Sequence, residues 1–491
     1  MATWDLLVIG GGTAGLVAAH TGALLGARVA LVEEHRTGGE CLWTGCVPSK
    51  ALLAAAGVVA TVRANHGYVS AGDVRVDFPA VMSRVRQAIA TIEPADSPQT
   101  LREAGVTVLP GRAEFDGAGS VTVAGQRHTF HRALLATGSA PRVPAIPGLR
   151  EAAPLTTETV WDLTELPARL LVLGGGPAGC ELAQAFARLG SQVTLVHRGQ
   201  RLLARMDPDA ALLLLSSLQA DGVRLMLSHE IVSVVGRPRQ PGEARLRAAA
   251  GSDGAQQSVA YDALLVATGQ QPRTVGLGLD RAGVALTDGG AVDVDERLRT
   301  SNPQIWAAGD VTPAPQLTHV AGYHAGIAAV NALLGLRLVP NTRAVPQVVY
   351  TDPEVAVVGT ATWAPAGQRP PRIIEHTHDH VDRAVTDGRT DGFTRLAIDR
   401  RGRITGATVV GPRAGESLAE LGLAIRRKVG VATLAATMHA YPTYAYAPWE
   451  AAVDEVRRRS GRWGLWCVTR LVIRLRRLGA GVVLPAGRAI E

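Results

Sequence analysis

The run Asp5-Leu6-Leu7-Val8-Ile9-Gly10-Gly11-Gly12-Thr13-Ala14-Gly15 decides the fold, because the chain repeats it. Its apolar residues read as a buried strand, its glycines as a tight turn, and the Ala/Leu-rich stretch beyond as a helix. A second strand, Arg28 to Val32, ends at Glu33. Further on, Arg169 to Leu173 leads into Gly174-Gly175-Gly176-Pro177-Ala178-Gly179 and another helix, and the strand Gln192 to Val196 ends at His197. Positions 10, 12, 15 and 33 thus recur 164 residues later at 174, 176, 179 and 197. One such glycine pattern is weak; two in the same strand–turn–helix–strand setting with the same spacing indicate two dinucleotide-binding units. The first glycine makes the turn, the second lets backbone approach a pyrophosphate, and the third lets helix pack on strand. The helix N-terminus attracts the phosphate charge.

The strand ends separate the two units. Glu33 is placed to accept a hydrogen bond from a ribose 2′-hydroxyl, which suits FAD held by Gly10, Gly12, Thr13, Ala14 and Gly15. His197-Arg198, with Arg201 nearby, replaces the carboxylate and suits a 2′-phosphate. NADPH is therefore expected over Gly174, Gly176, Pro177, Ala178 and Gly179, with NADH as the alternative. Two short strands end in small residues, Leu134-Leu135-Ala136-Thr137-Gly138 and Leu264-Leu265-Val266-Ala267-Thr268-Gly269. Both suit close approach of a cofactor or a crossing chain. Ile305-Trp306-Ala307-Ala308-Gly309-Asp310 follows, and from about Pro346 the pattern becomes strands, then helices at Ser417 to Arg427 and Pro448 to Arg459.

The expected fold is α/β, with two Rossmann-like dinucleotide-binding domains and a C-terminal α+β dimerisation domain. The expected boundaries are 1–150 with 273–345 for FAD, 151–272 for NAD(P), 346–455 for dimerisation, and 456–491 for a basic amphipathic tail.

Composition limits the function classes. The 491 residues carry a formal charge of +7, which raises nucleic acid or a membrane surface as partners. Residues 451–491 hold nine arginines against Asp454, Glu455 and Glu491, a net +6, so the body is near neutral and a nucleic-acid role is not expected. Only Lys50 and Lys428 are lysines; the other 48 basic residues are arginine. Arginine is a wide planar fork and lysine a compact point charge, so a lysine kept against this bias marks a place where the fork does not fit. Four cysteines, Cys41, Cys46, Cys180 and Cys467, are too few for a disulfide scaffold. No signal peptide opens the chain and no uninterrupted apolar stretch reads as membrane-spanning, so the cytoplasm is the expected compartment.

The chemical centre reads Gly38-Gly39-Glu40-Cys41-Leu42-Trp43-Thr44-Gly45-Cys46-Val47-Pro48-Ser49-Lys50. A helix N-terminus favours thiolate, the reactive form, and Pro48 fits the first turn of the helix that follows. Lys50 lies one turn past Cys46. No metal-ligand spacing accompanies the two cysteines, so no metal site is expected and a redox dithiol is the best reading.

This block resembles the active-site signature of class I pyridine nucleotide–disulfide oxidoreductases, the family of dihydrolipoamide dehydrogenase, glutathione reductase and mercuric reductase. The resemblance runs from about residue 4 to 455. It includes both glycine loops, both Ala-Thr-Gly strands, Ala307-Ala308-Gly309-Asp310, Tyr350-Thr351-Asp352-Pro353-Glu354 and Arg383-Ala384. It implies an FAD-dependent NAD(P)H oxidoreductase and a homodimer acting on a small-molecule acceptor. It implies that Cys46 is the flavin-facing thiol, that Cys41 is the interchange thiol, and that Lys50 lies by the flavin N5 with Glu181 as its partner. It implies that Ala136, Thr137, Gly138, Gly309, Asp310 and His319 lie along FAD, with Asp310 on the ribityl chain, and that Gly269 lies along NAD(P).

One motif departs. Dithiol-handling members carry His-Pro-Thr-x-x-Glu, whereas this chain reads His439-Ala440-Tyr441-Pro442-Thr443-Tyr444-Ala445-Tyr446. Tyr441 replaces the His and Tyr446 the Glu. Tyrosine, with a pKa of about 10, is a poor base at neutral pH. His439, two residues earlier, is the alternative base. The tyrosine resembles mercuric reductases, but their C-terminal cysteine pair is missing and only Cys467 stands there. The leading acceptors are therefore a metal ion, a quinone-like molecule or an unidentified disulfide. A dihydrolipoamide-dehydrogenase-like disulfide reductase and a flavoprotein redox sensor with little turnover are the alternatives. Cys180 reads as a core residue. His376, His378 and His380 read as a polar loop near a strand edge in preference to a metal site. Residues 457–478 read as an amphipathic helix, with Arg470, Arg474 and Arg477 opposite Leu465, Val468, Val472 and Leu475 and with Trp463 and Trp466 near its start. Such a helix either touches a membrane surface or packs on its own dimer.

Overall fold

The computed structural model describes residues 3–64, 72–238, 240–248, 257–364, 371–460 and 463–477. It divides into two units, Met1–Leu203 with Leu218–Asn341, and Ala204–Ser217 with Thr342–Glu491.

The first unit is built on two sheets. The larger runs in the order Thr107–Pro110, Val29–Glu33, Thr3–Ile9, Gln126–Leu135, Ser120–Val123 and Ala113–Gly117, with Ile305–Ala307 also paired to Gln126–Leu135. Thr3–Ile9 pairs in parallel with Val29–Glu33 on one side and Gln126–Leu135 on the other. A parallel strand with both faces covered must be apolar throughout, which explains the unbroken Leu6-Leu7-Val8-Ile9 run. Its alternate residues serve opposite faces. Leu7 and Ile9 join Phe115, Phe130 and Leu277, while Leu6 and Val8 join Ala18, Ala19, Ala325 and Ala328. Those alanines lie on the helices Thr13–Leu24 and Thr318–Leu334, which pack on each other.

The second sheet repeats the design in the order Arg224–Leu227, Gln192–His197, Arg169–Leu173, Ala263–Val266 and Leu155–Thr156, all parallel. An antiparallel sheet of His229–Val235, Gly242–Ala248 and Gln257–Tyr261 accompanies it. Where the chain crosses between the two halves, Ser139–Pro141 pairs antiparallel with Gln270–Pro272.

One stretch reaches spanning length, although Glu40 and Lys50 interrupt it. Gly39–Arg63 is long and apolar enough by length and composition. It consists of Gly39–Trp43 and Cys46–Arg63 joined through Thr44 and Gly45, and the second helix packs against Phe78–Ile92 and Pro177–Leu189. Continuous apolar reading here comes from alanine, valine and leucine on a helix whose neighbours are other helices.

The second unit holds an antiparallel sheet in the order Pro346–Val349, Glu354–Gly359, Ile404–Gly411, Phe393–Ile398 and Arg372–Thr377. The helices Ala414–Arg427 and Tyr446–Ser460 bury Leu418, Leu421, Ala451 and Ala452 with Ala356, Leu396 and Val409 of the sheet. Glu455, 1% exposed, accepts hydrogen bonds from Arg372, Arg458 and Arg459. Two of the tail's arginines are thus spent inside this unit. A helix follows at Trp463–Arg477; the side chains of 463–469, and Leu478, lie outside the described residues.

The histidine trio differs from the loop expected. His376 lies within the strand Arg372–Thr377, His378 is buried with Nε2 3.0 Å from Thr394 Oγ1, and only His380 is exposed. Burial lowers the pKa of His378 to about 4, so it is a neutral core residue. No metal-binding cluster of His, Cys, Asp or Glu occurs among the described residues.

Candidate functional site

The two glycine loops are bonded alike. Gly10 N donates to Val32 O and Gly174 N to Val196 O, each at 2.9 Å; Ala136 N donates to Ile9 O and Ala267 N to Leu173 O, each at 2.8 Å. A Cβ on Gly15 would stand 1.8 Å from Gly10 O, and one on Gly179 would stand 1.9 Å from Gly174 O. Only glycine lets each helix start this close to its strand, where its free N–H groups form an anion site.

The difference between the loops lies at the strand ends. Gly11 N donates to Glu33 Oε2 at 2.6 Å and His35 N to Glu33 Oε1 at 2.8 Å, which aims the carboxylate along the loop. In the second loop Gly175 N donates to His197 Nδ1 at 3.3 Å. Burial, then the Arg198 charge, lower the His197 pKa. The ring thus accepts a proton-bearing group on Nδ1 and is uncharged, which leaves positive charge at this end to Arg198 and Arg201.

The residues present fit FAD. Gly309, with a left-handed φ of +79°, would bring a Cβ within 3.2 Å of the Ala14 Cβ, so this segment lies against the first glycine loop. Asp310 beside it is desolvated, which raises its pKa, and its Oδ2 accepts from Ser139 Oγ at 3.2 Å. A half-buried carboxylate with a single weak donor is suited to the hydroxyls of a ribityl chain. Thr137 Oγ1 donates to Arg273 O at 2.7 Å, and Ala136 is buried. Gly269 keeps a left-handed φ of +105°, as Gly138 does at +69°. His319 is exposed on the first turn of Thr318–Leu334.

The redox turn sits against the same loop. A Cβ on Gly39 would come 2.5 Å from Gly12 Cα. Cys41 is on the short helix Gly39–Trp43, and Cys46 begins the helix Cys46–Arg63. Thr44 N and Gly45 N donate to Glu40 O at 2.9 and 2.6 Å, which closes the turn between the cysteines. Trp161 Nε1 donates to Thr44 O at 2.8 Å, and Trp43 Nε1 to Thr37 O at 2.7 Å, so both flanks are pinned.

The two thiols are unequal. Cys41 donates a hydrogen bond to Cys46, Thr318 Oγ1 lies 3.2 Å from Cys46 Sγ, and Lys50 adds positive charge. Together these overcome desolvation and lower the Cys46 pKa to about 6. The same bond, then burial and the Cys46 charge, push Cys41 far up. One thiolate and one thiol therefore share a proton at neutral pH. Lys50 Nζ donates to Glu181 Oε2 at 2.8 Å, with Glu181 nearly buried. Cys180 next to it is fully buried in the helix Pro177–Leu189, and its pKa is pushed up by that burial.

The C-terminal candidates lie in the second unit. Tyr441 OH donates to Asp382 Oδ2, which raises the Tyr441 pKa and makes it a poorer base still. The Tyr441 ring meets Tyr446 edge-on at 5.4 Å, and Tyr446 meets Trp449 at 4.5 Å. His439 Nε2 lies 2.8 Å from Glu420 Oε2 and Nδ1 lies 3.0 Å from Thr437 O.

Sequence reasoning did not single out Thr318, Glu40, Gln270 or Trp161. Thr318 is distant from the cysteines in the chain, and only pairing of strands and helices brings it to Cys46. Glu40 could have been noticed, since a carboxylate beside a reactive cysteine opposes thiolate formation. Gln270 Nε2 donates to its Oε1 at 2.9 Å.

The family profile of the pyridine nucleotide-disulphide oxidoreductases matches residues 4–325, and that of their dimerisation domain matches residues 345–452. The tail beyond lies outside both, and nothing among the relatives supports a membrane contact by it. A mercuric reductase of Streptomyces lividans is 38% identical over 464 residues, 90% of this chain and 94% of its own. A dihydrolipoyl dehydrogenase of Chlamydia muridarum is 34% identical over 458 residues, 92% of this chain and 96% of its own. Among solved structures, LpdA of Mycobacterium tuberculosis superposes with a TM-score of 0.81 at 30% identity, covering 92% of this chain and 100% of that one. The HOCl-induced flavoprotein disulfide reductase RclA of Escherichia coli, solved as a Cu(II) complex, gives 0.81 at 26% identity with the same coverage. The chain belongs to the pyridine nucleotide–disulphide oxidoreductases, enzymes that bind FAD, use NAD(P)H and carry a dimerisation domain.

Proposed function

We propose that this oxidoreductase takes its electrons from NADPH and delivers them, through the Cys41–Cys46 pair, to an acceptor that needs no C-terminal histidine base. The acceptor classes are a metal ion, a quinone-like molecule or an unidentified disulfide other than lipoamide. The inequality of the two thiols carries this reading: Cys46 is drawn down to about 6 and Cys41 is held as thiol.

When bound, FAD supplies the two-electron relay between nicotinamide and disulfide. The chain's own groups do the rest. Glu33 and Asp310 would hold the ribose and ribityl hydroxyls. Arg198 and Arg201 supply charge for a 2′-phosphate, while His197 fixes the loop through Gly175 N. Thr318 and Lys50 stabilise charge on Cys46, and Cys41 keeps its proton until it meets the acceptor. A thiolate, not a thiol, is the nucleophile in exchange, so the pair is ready at neutral pH. Tyr441 gives its proton to a hydrogen bond with Asp382 and serves as no base.

A dihydrolipoyl-dehydrogenase-like reading has one observation in its favour, the His439–Glu420 pair at 2.8 Å. Both ring nitrogens of His439 are engaged inside its own unit, which leaves neither for a substrate thiol. The deciding experiment is anaerobic titration with NADPH and NADH, then steady-state turnover against mercuric and cupric ions, quinones, lipoamide and a chromogenic disulfide, with Cys41→Ser beside the wild type. Efficient lipoamide turnover, or undiminished turnover of every acceptor by C41S, overturns the proposal.

A further inference from the structure

The redox turn carries an acid that the family's acid–base motif does not include. Glu40 is next to Cys41, and its carbonyl closes the turn to Cys46 through Thr44 N and Gly45 N. Its carboxyl faces Asp310, Glu158 and Cys46, all of negative charge when ionised, and one cation, Arg273. That cation is already engaged: Arg273 donates to the Glu158 carboxylate and, through Nε, to Ser139 O at 2.7 Å. The neutral Gln270 amide donates to Glu40 Oε1 at 2.9 Å. In the second unit the position of the usual base is held by Tyr441, bonded to Asp382.

We propose that Glu40 is the proton store of the dithiol, taking up a proton when the Cys41–Cys46 disulfide is opened and releasing it when the disulfide re-forms. This rests on the dithiol reading above. The balance is as follows. Two electrons break the S–S bond; Cys41 takes one proton and becomes a thiol; Cys46 stays a thiolate; Glu40 takes the second proton. One proton comes from the hydride of NADPH and one from solvent. When an acceptor removes the electron pair, the S–S bond forms again and both protons leave. The new charge on Cys46 adds to burial, Asp310 and Glu158, which already favour the protonated carboxyl. Burial first, then Asp310, Glu158 and Cys46, raise the Glu40 pKa to about 7, against Arg273. That is the range in which a group can both accept and release a proton at neutral pH.

The test uses the FAD-loaded full chain, wild type and Glu40→Gln, reduced anaerobically in weak buffer with an indicator dye at pH 6.5–7.5. Proton uptake is counted per pair of new thiols, and the rate of iodoacetamide alkylation is followed against pH. The wild type is expected to take up more protons per disulfide than E40Q, by a fraction of one that is greatest near pH 7. Its alkylation profile should bend near pH 7, whereas E40Q should show no such bend. Equal uptake and equal profiles in the two proteins overturn the Glu40 proposal alone. Failure of the wild type to gain two thiols on reduction overturns the dithiol reading and this proposal with it. Should E40Q lose FAD, Gln270→Leu keeps the carboxyl but removes its donor and must move the uptake midpoint to higher pH; an unmoved midpoint overturns the proposal.

Discussion

Lys50 Nζ donates to Glu181 Oε2 at 2.8 Å and so ties the helix that begins at Cys46 to the helix that follows the second glycine loop. One of the two lysines in the chain is spent on this bond. A point charge on a flexible stem reaches a nearly buried carboxylate where a planar fork would need more width. Lys50→Arg is expected to slow NADPH-driven flavin reduction by about 100-fold, the scale seen when a preorganised charge is displaced. Stopped-flow absorbance at saturating NADPH checks it. A rate within threefold of wild type would show that charge alone suffices.

Thr318 lies 3.2 Å from Cys46 through its hydroxyl. A hydrogen bond to a charged group contributes about 1.5–3 kcal/mol, and one pKa unit is about 1.4 kcal/mol. Thr318→Val should therefore raise the Cys46 pKa by about one to two units from its value near 6. The thiolate then dominates only above neutral pH. The alkylation rate of the reduced protein between pH 5 and 9 reports the midpoint directly.

His197 stands where the first loop has Glu33, and both accept from a loop N–H. His197→Glu places a carboxylate against a 2′-phosphate and beside a free ribose hydroxyl. The variant should lose about 10- to 100-fold in kcat/KM for NADPH and less than threefold for NADH, by charge repulsion over a short distance. Parallel initial rates with both nucleotides check this. An unchanged ratio would place the phosphate elsewhere.

Tyr441 donates to Asp382 and is not positioned as a base. Tyr441→Phe should leave the pH profile of acceptor reduction unmoved between pH 6 and 9, whatever it does to KM. A lost or shifted limb in that profile would return an acid–base role to the tyrosine.

Glu455 is a buried carboxylate held by Arg372, Arg458 and Arg459. Removing one partner of a buried ion pair costs about 3–5 kcal/mol. Glu455→Ala should lower the urea midpoint of the second unit while leaving the FAD spectrum intact at low denaturant. A midpoint change below that expected for about 1 kcal/mol would mean the arginines are well hydrated without it.

Much of the site was legible because it is local. The glycine spacing, the strand ends at Glu33 and His197, the cysteine pair and the lone lysine nearby all lie within short runs of chain, where residue type and position alone carry the physics. The apolar run Leu6 to Ile9 likewise announces a parallel strand covered on both faces. The chemical state of the same residues depends on long-range contacts instead. Cys46 becomes the thiolate because the fold turns the Cys41 thiol onto it and brings Thr318, far along the chain, beside it. His197 becomes a neutral acceptor because Gly175 N points at it. Glu40 is raised towards neutrality because folding buries it, brings Asp310 and Glu158 from other segments and draws Arg273 to Glu158. By itself the sequence determined the family and set out the two glycine loops and the cysteine pair, since these depend on spacing along one strand and turn. Only the tertiary structure decided which thiol is charged, which tyrosine is bonded and where a proton can rest, because a pKa is set by the charges and donors that folding brings within a few ångströms.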